Sequence, residues 1–355
     1  MAPSAFGKFS DEEFAGLNLE GLDENEFQRL ARNRMPLILP WHRQPIRIGT
    51  GYHSSRQLTA DPWATETPFN LAELMLQAKI FRPEQGTTSS FSSKTTSRKA
   101  ETNDHLTLGF GVGIAPPIPV VAVSVFGQFD QAVISNSDSD KTSTRSTCRL
   151  GCVDLEVGPR LTTEAICEIK YRGGYEGFKQ RYGDYYVAGY RIGADTGLLL
   201  SSSGSSREQV DKYSIKAEVE VLFVTVSKTW NKEFETFRAG RAMKLLGYDT
   251  LEDRTWQNSC AAGDSIPETR NWLAGRPMLE EGTLKADAEA VISRSHSLIE
   301  RVGEVLRRHG VEDGSYLTFK QCEALVADGV VVELLLMPMD HLRDVVRWRL
   351  DDNII

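Results

Sequence analysis

Six histidines, five cysteines and 49 acidic residues are the groups in this 355-residue chain from which bond chemistry or a metal site would have to be built. The histidines are His42, His53, His105, His296, His309 and His341. None stands in HExxH or another familiar metal-ligand spacing. The cysteines are Cys148, Cys152, Cys167, Cys260 and Cys322. Their odd number and loose spacing argue against a disulfide framework and against zinc, and Cys167 reads as a small buried hydrophobe. Gly109–Gly113 (GFGVG) is followed by IAPPIPV, and prolines there cannot open the phosphate-binding helix of a dinucleotide fingerprint. Gly173–Gly177 (GGYEG) lacks a following lysine–serine pair. Glu176 and Asp184 form a carboxylate pair only on paper, and His296 reads as a flank residue of an amphipathic helix. No nucleophile, base and orienter assemble. The expectation is therefore a protein that is not an enzyme, with no cofactor and no metal.

One stretch resists a bland reading: KQRYGDYYVAGYRIGADTG, Lys179 to Gly197. It packs tyrosines and glycines into what looks like a helix-to-strand junction. By residue type alone it could be a catalytic loop, a phosphate cradle or a structural hinge.

The elements that would position it are mixed. Residues 159–182 read as helix with an interruption at Gly173–Gly174, and 185–200 as extended chain. NLAELMLQAKIF, from Asn70, reads as helix. TTSSFSSKTTSR, residues 87–98, is either loop or polar strand, since threonine suits a sheet. Leu106, Leu108, Phe110 and Val112 alternate with polar residues or glycine. Pro116, Pro117 and Pro119 interrupt, and Val121, Val123, Val125 and Phe129 then share one side of a predicted strand. SNSDSDKTSTRST, from Ser135, reads as exposed. KYSIKAEVEVLFVTVSKTW gives the clearest alternation, with Ile215, Ala217, Val219, Val221 and Phe223 on one face. Residues 240–282 read as irregular. A striped helix follows through Leu284, Val291, Leu298, Val302 and Val305, stopped at Gly310. A short strand leads to Pro338, and a last helix runs through HLRDVVRWRL with Asp340 as candidate cap. A short N-terminal helix is expected over SDEEFAGL.

A formal net charge of −8 disfavours a general nucleic-acid binder. The N-terminus lacks the apolar run of a secretory signal, and no stretch is long and apolar enough for a constitutive transmembrane helix. The expectation is a soluble protein, cytoplasmic in type or released without a classical signal, with peripheral association with a target membrane open to it.

Tyr182-Gly183-Asp184-Tyr185-Tyr186-Val187, followed by Gly189 and Gly193, resembles the signature of the membrane attack complex/perforin (MACPF) superfamily. That signature is an aromatic residue, glycine, usually threonine–histidine, another aromatic, and later a glycine pair. Asp184-Tyr185 stands where threonine–histidine is usual, and Gly193-Ala194 represents the glycine pair. The resemblance implies an α+β fold, similar to the cholesterol-dependent cytolysins, with a bent, twisted four-stranded antiparallel sheet flanked by helical clusters. It implies a main domain over 70–350, an N-terminal extension of short elements over 1–69 and a tail over 351–355. Tyr182, Tyr185 and Tyr186 would be packing anchors, Gly183, Gly189 and Gly193 would permit tight backbone paths, and Asp184 would either bond nearby backbone or be solvated. The implied activity is self-association on a membrane, with lipid or a targeting protein as partner, and conversion of helical clusters to pore-lining β-hairpins. The inserting segments would lie between Phe129 and Leu161 and after Trp230, within 231–310. A non-lytic interaction protein on the same scaffold is the alternative.

Overall fold

The computed structural model describes residues 22–23, 29–56, 61–96, 112–113, 140–203, 242–260, 268–271 and 293–351. The frame is a set of long antiparallel strands. Strand β1 spans Leu37–Pro40, β2 Gly51–Tyr52, β3 Lys79–Thr96, β4 Asp140–Leu155 and β5 Tyr185–Ser203. Strands β6 (Ala242–Asp249), β7 (Arg254–Cys260) and β8 (Glu268–Asn271) follow, then β9 (Tyr316–Leu317) and β10 (Val331–Pro338). Among the described residues these form one ten-stranded sheet, not the four-stranded one expected. Its path runs β8-β7-β6-β5-β4-β3-β9, with β10 pairing β1 and β5 and β2 pairing β5. Every pairing in it is antiparallel. Leu22–Asp23 and Val112–Gly113 form a separate two-stranded parallel pair.

The sheet divides along β5. On one edge β10 covers Tyr185 to Ile192 and β6 covers Thr196 to Ser203. Between them, the Gly193 amide donates to Val330 O (2.8 Å) and the Thr250 amide to Asp195 O (3.0 Å). Three strand pairs break register at this level. One residue of β4, Leu150, is extra against β5, and residues 84–87 of β3 bulge against β4. One residue of β10, Val332, is extra against β5, and its carbonyl accepts instead from the Trp41 amide (2.8 Å). Bulges bend and twist the strands that carry them, so a row of them sets a transverse joint across the sheet.

Helix α1 is Leu71–Leu76, capped by Asn70 accepting from the Ala72 and Glu73 amides. It is shorter than the sequence suggests because Lys79 and its successors join β3. A helical run of α2 (Thr163–Cys167), a π turn (Glu168–Arg172) and α3 (Gly174–Tyr182) leads into β5, with the expected interruption at Gly173–Gly174. Helix α4 is Leu298–Arg308, α5 is Phe319–Ala327 and α6 is Arg343–Asp351. Helix α4 lays Leu298, Val302 and Leu306 inward and touches β4 and β5. Its stop at Gly310 takes φ +65°. Asp340 lies in a 3-10 turn, Met339–His341, and α6 begins only at Arg343. The fold is thus α+β, a large antiparallel sheet flanked by helices.

Two other expectations change. Residues 140–147 of the polar stretch, read as exposed, are the first half of β4. Much of 240–282, read as irregular, is β6, β7 and β8. Serine, threonine and charged residues there satisfy the ladder without a hydrophobic period, because the backbone supplies the pairing bonds. The expected helices over 10–17 and 282–292 and the alternating segments at 105–129 and 213–226 fall outside the described residues, apart from Val112–Gly113.

Candidate functional site: the tyrosine–glycine corner and the charged joint

The corner is built where α3 ends. Gly183 closes it with φ +92°, a conformation that side chains rarely adopt. A Cβ there would lie 2.5 Å from Tyr52 O and 2.7 Å from Tyr52 N, so the chain turns against β2 itself. The Asp184 amide donates to Tyr52 O (3.0 Å), and Asp184 O accepts from the Met339 amide (2.9 Å). Its carboxylate accepts from the Ser54 amide (2.8 Å) and hydroxyl (2.6 Å) and faces Arg34 Nη1 at 3.4 Å. Of the two roles open to Asp184, backbone bonding is the one observed. Arg34 also reaches Asp340 Oδ2 at 3.6 Å. One aspartate therefore ties the start of β5 to residues early and late in the chain.

Tyr182, Tyr185 and Tyr186 are all buried. Tyr182 sits 5.1 Å from the Phe178 ring, and Tyr186 meets Phe69 edge-on at 5.2 Å. The Tyr185 hydroxyl donates to Met35 O (3.0 Å) and lies 3.3 Å from Ala31 O, and that of Tyr190 donates to Ile46 O (3.0 Å). Burial raises the phenol pKa of Tyr185, Tyr186 and Tyr190, with Asp184 adding to it at Tyr185, so these hydroxyls remain donors. Gly189 pairs with Asp154 on one side and Leu335 on the other. Gly193 pairs with Arg149 at the row of bulges.

The polar groups described at this corner are engaged with one another. The Ser54 hydroxyl gives its proton to a carboxylate, not to an imidazole, and is not activated as a nucleophile. No group of three or more metal-ligating side chains occurs among the described residues. Asp184→Ala should cost about 1–3 kcal/mol, because the half-buried Ser54 amide and hydroxyl lose their acceptor. A denaturation midpoint equal to that of the native protein would contradict that reading.

The second cluster was not anticipated from the sequence. At the row of bulges, Arg149 of β4 is buried and fully engaged. Its Nη1 lies 2.7 Å from Asp195 Oδ1, its Nε 2.9 Å and its Nη2 2.8 Å from Glu333 Oε1. Arg191 continues the chain, with Nε 2.7 Å from Glu84 Oε1 and Nη1 3.4 Å from Glu333 Oε2. Four strands, β3, β4, β5 and β10, each contribute a charge. Burial alone would lower the Arg149 pKa, yet Asp195 and Glu333 outweigh it and hold the guanidinium charged. Burial likewise pushes Glu333 up, and Arg149 and Arg191 outweigh that and hold its carboxyl below the ordinary range. Asp249, also buried, anchors α4 through Arg301 Nη1 at 2.7 Å and caps the following turn through the Leu251 and Glu252 amides.

No protein-family model and no curated protein matches the chain. Solved structures do align with it. GNIP1Aa from Chromobacterium piscinae aligns at 14% identity over 89% of this chain and 55% of its own, with a TM-score of 0.34. A non-hemolytic pneumolysin from Streptococcus pneumoniae strain ST306 aligns at 12% identity over 70% and 40%, TM-score 0.29. Suilysin, a cytotoxin from Streptococcus suis, aligns at 9% identity over 85% and 59%, TM-score 0.32. The chain thus spans between 40% and 59% of the length of these proteins. At these TM-scores the overlaps carry no argument about what the chain does.

Proposed function

We propose that this protein perturbs membranes by extending its sheet into the bilayer as β-hairpins. One observation supports this above others. Thr96 pairs with Lys141, Asp140 with Ser202, and Ser203 with Ala242, so four strand ends lie side by side at one end of the sheet. Two long connections leave and return there: 97–139 joins β3 to β4, and 204–241 joins β5 to β6. These connections carry the two strongest two-residue alternations in the sequence. Leu106, Leu108, Phe110 and Val112 run up to the proline cluster, and Val121, Val123 and Val125 run away from it. Ile215, Ala217, Val219, Val221 and Phe223 mark the second.

A crossing strand needs roughly 9–11 residues with one apolar face, and closure into a barrel satisfies the backbone in lipid. Ile215–Phe223 reaches the lower end of that length, as does Val121–Phe129 with Gly127 in phase, while Leu106–Val112 covers seven residues and would cross with its flanks. The inserting segments are therefore assigned to 97–139 and 204–241. The earlier assignment to the stretches after Phe129 and after Trp230 conflicts with β4 and with β6 to β8, which occupy sheet positions there. The polar 140–147 stretch, unsuited to lipid, stays in the sheet. No helix among the described residues is long and apolar enough to cross a membrane, so any crossing by those residues would be as strands. Membrane perturbation of this kind needs no catalytic step. Self-association on the membrane follows from it, because two hairpins per chain are too few to close a wide barrel.

Dye release from liposomes tests the proposal. Leakage from vesicles that include sterol and sphingomyelin mixtures, together with membrane-dependent oligomers, is the expected result. Absence of both across lipid compositions would leave the alternative, a non-lytic interaction protein on this sheet.

A further inference from the structure

The segment from Trp41 to Ser54 lies along the tyrosine end of β5. The Gly49 amide donates to Val187 O (2.7 Å), the Val187 amide to Thr50 O (2.9 Å), and β2 pairs with Tyr185 and Tyr186. Its upstream end is stapled by two adjacent basic residues, the cation Arg43 and the neutral His42. Arg43 donates to Ala327 O (2.9 Å) and Asp328 O (3.1 Å) at the end of α5, and to Leu251 O in the turn after β6. His42 is buried, with Nε2 2.9 Å from Thr250 O and Nδ1 3.6 Å from Asp253 Oδ1.

A carbonyl cannot donate, so Nε2 carries the proton of the neutral ring and Nδ1, on the Asp253 side, is the unprotonated nitrogen. A second proton would go on Nδ1. It would meet Asp253, whose side chain is 49% exposed, at the surface end, but would place a buried cation beside Arg43. The other carboxylate facing the ring is Asp195 of β5, already committed to Arg149. Asp328, which caps the end of α5, accepts from Arg43 at its carbonyl and faces His309 with its carboxylate (2.8 Å).

We propose that His42 makes this staple acid-labile: protonation loosens the 41–54 strap and uncovers the tyrosine end of β5. Burial lowers the His42 pKa most, and Arg43 adds to it. The Thr250 carbonyl, Asp253 and Asp195 act the other way without restoring the ordinary value. The unfolded chain takes up the proton near pH 6.5 and the folded one only at lower pH. Neutral His42 therefore contributes stability that is full above about pH 6.5 and is lost as pH falls to the folded value. His53 is lowered in the same direction, by burial and Arg56, so the assignment needs a residue-specific test.

Hydrogen exchange of the Gly49 and Val187 amides, corrected for intrinsic rate, provides it. Between pH 7.5 and pH 5.5 the native protein should lose protection there several-fold, with about tenfold the ceiling for one histidine, while His42→Gln, which keeps a neutral donor to Thr250 O, holds its protection. Equal pH dependence in the two proteins would overturn the proposal. Should His42→Gln fail to fold, Asp253→Asn retains the ring and removes the carboxylate that favours its charge. It should then lose more protection at pH 5.5 than the native protein, and a profile identical to the native one would overturn the proposal.

Discussion

Arg149→Ala should destabilise the protein by about 3–5 kcal/mol, the cost of leaving buried carboxylates without their cation. Asp195 and Glu333 are both buried, and each takes two contacts from this one guanidinium. Arg191 can compensate only at the Glu333 end, from 3.4 Å. The loss should shrink in acid. The Glu333 carboxyl is held below its ordinary range by Arg149 and Arg191, so the stability it contributes is present above about pH 4.5 and falls away as pH drops toward the folded value. The variant, lacking Arg149, should show a flatter stability profile through that window. Urea unfolding at pH 7 and pH 4 measures both. A loss under about 1 kcal/mol at pH 7 would mean the cluster is not the closed network described. Replacing the whole cluster with apolar residues of similar volume is expected to be near neutral for stability. Its value would then lie in fixing the register of four strands at the joint.

Gly193→Ala should cost about 3 kcal/mol, at the upper end for overpacking a core. A Cβ at this position would fall 1.9 Å from Cys148 O and 3.0 Å from Cys148 C, and backbone cannot rotate aside as a side chain would. Strand β4 would have to move away from β5 at the very place where Leu150 is already extra. The matched control is Gly303→Ala in α4, where a Cβ meets nothing within 4 Å. There the substitution should stabilise by about 0.5–1 kcal/mol, because a helix-interior glycine is replaced by the best helix former. Thermal denaturation of the two variants side by side separates a glycine required by close approach from one that is not. Similar shifts in the two would reject the close packing at Gly193.

The corner was legible because its constraints are local. A glycine after a helix ending in Tyr182, followed by paired tyrosines, specifies a tight turn into a strand, and β5 begins at Tyr185. The long strands β3 and β4 were not legible as a pair. Their outer halves are serine- and threonine-rich, and a two-residue hydrophobic period is absent where backbone bonds alone set the ladder. The strongest alternations drew the strand assignments to 105–129 and 213–226, while the sheet's middle strands lie beside those segments in sequence. Arg149, Glu84 and Glu333 are scattered over 250 positions, each unremarkable in its own neighbourhood, and only strand pairing makes them a cluster. Helix α5 went unread although its signal was present: Thr318 and Gln321 form a capping box, and that spacing stands in the sequence.

On the proposed function, the segment joining β3 to β4 enters lipid as strands. Environment-sensitive dyes at single cysteines from Leu106 to Val112, in a cysteine-depleted background that unfolds like the native protein, measure this directly. On adding liposomes, labels at Leu106, Leu108, Phe110 and Val112 should brighten as they enter hydrocarbon. Labels at Thr107, Gly109 and Gly111 should stay in water, giving a two-residue period. Uniform response, a helical period, or no response on vesicles that the protein binds would contradict the account.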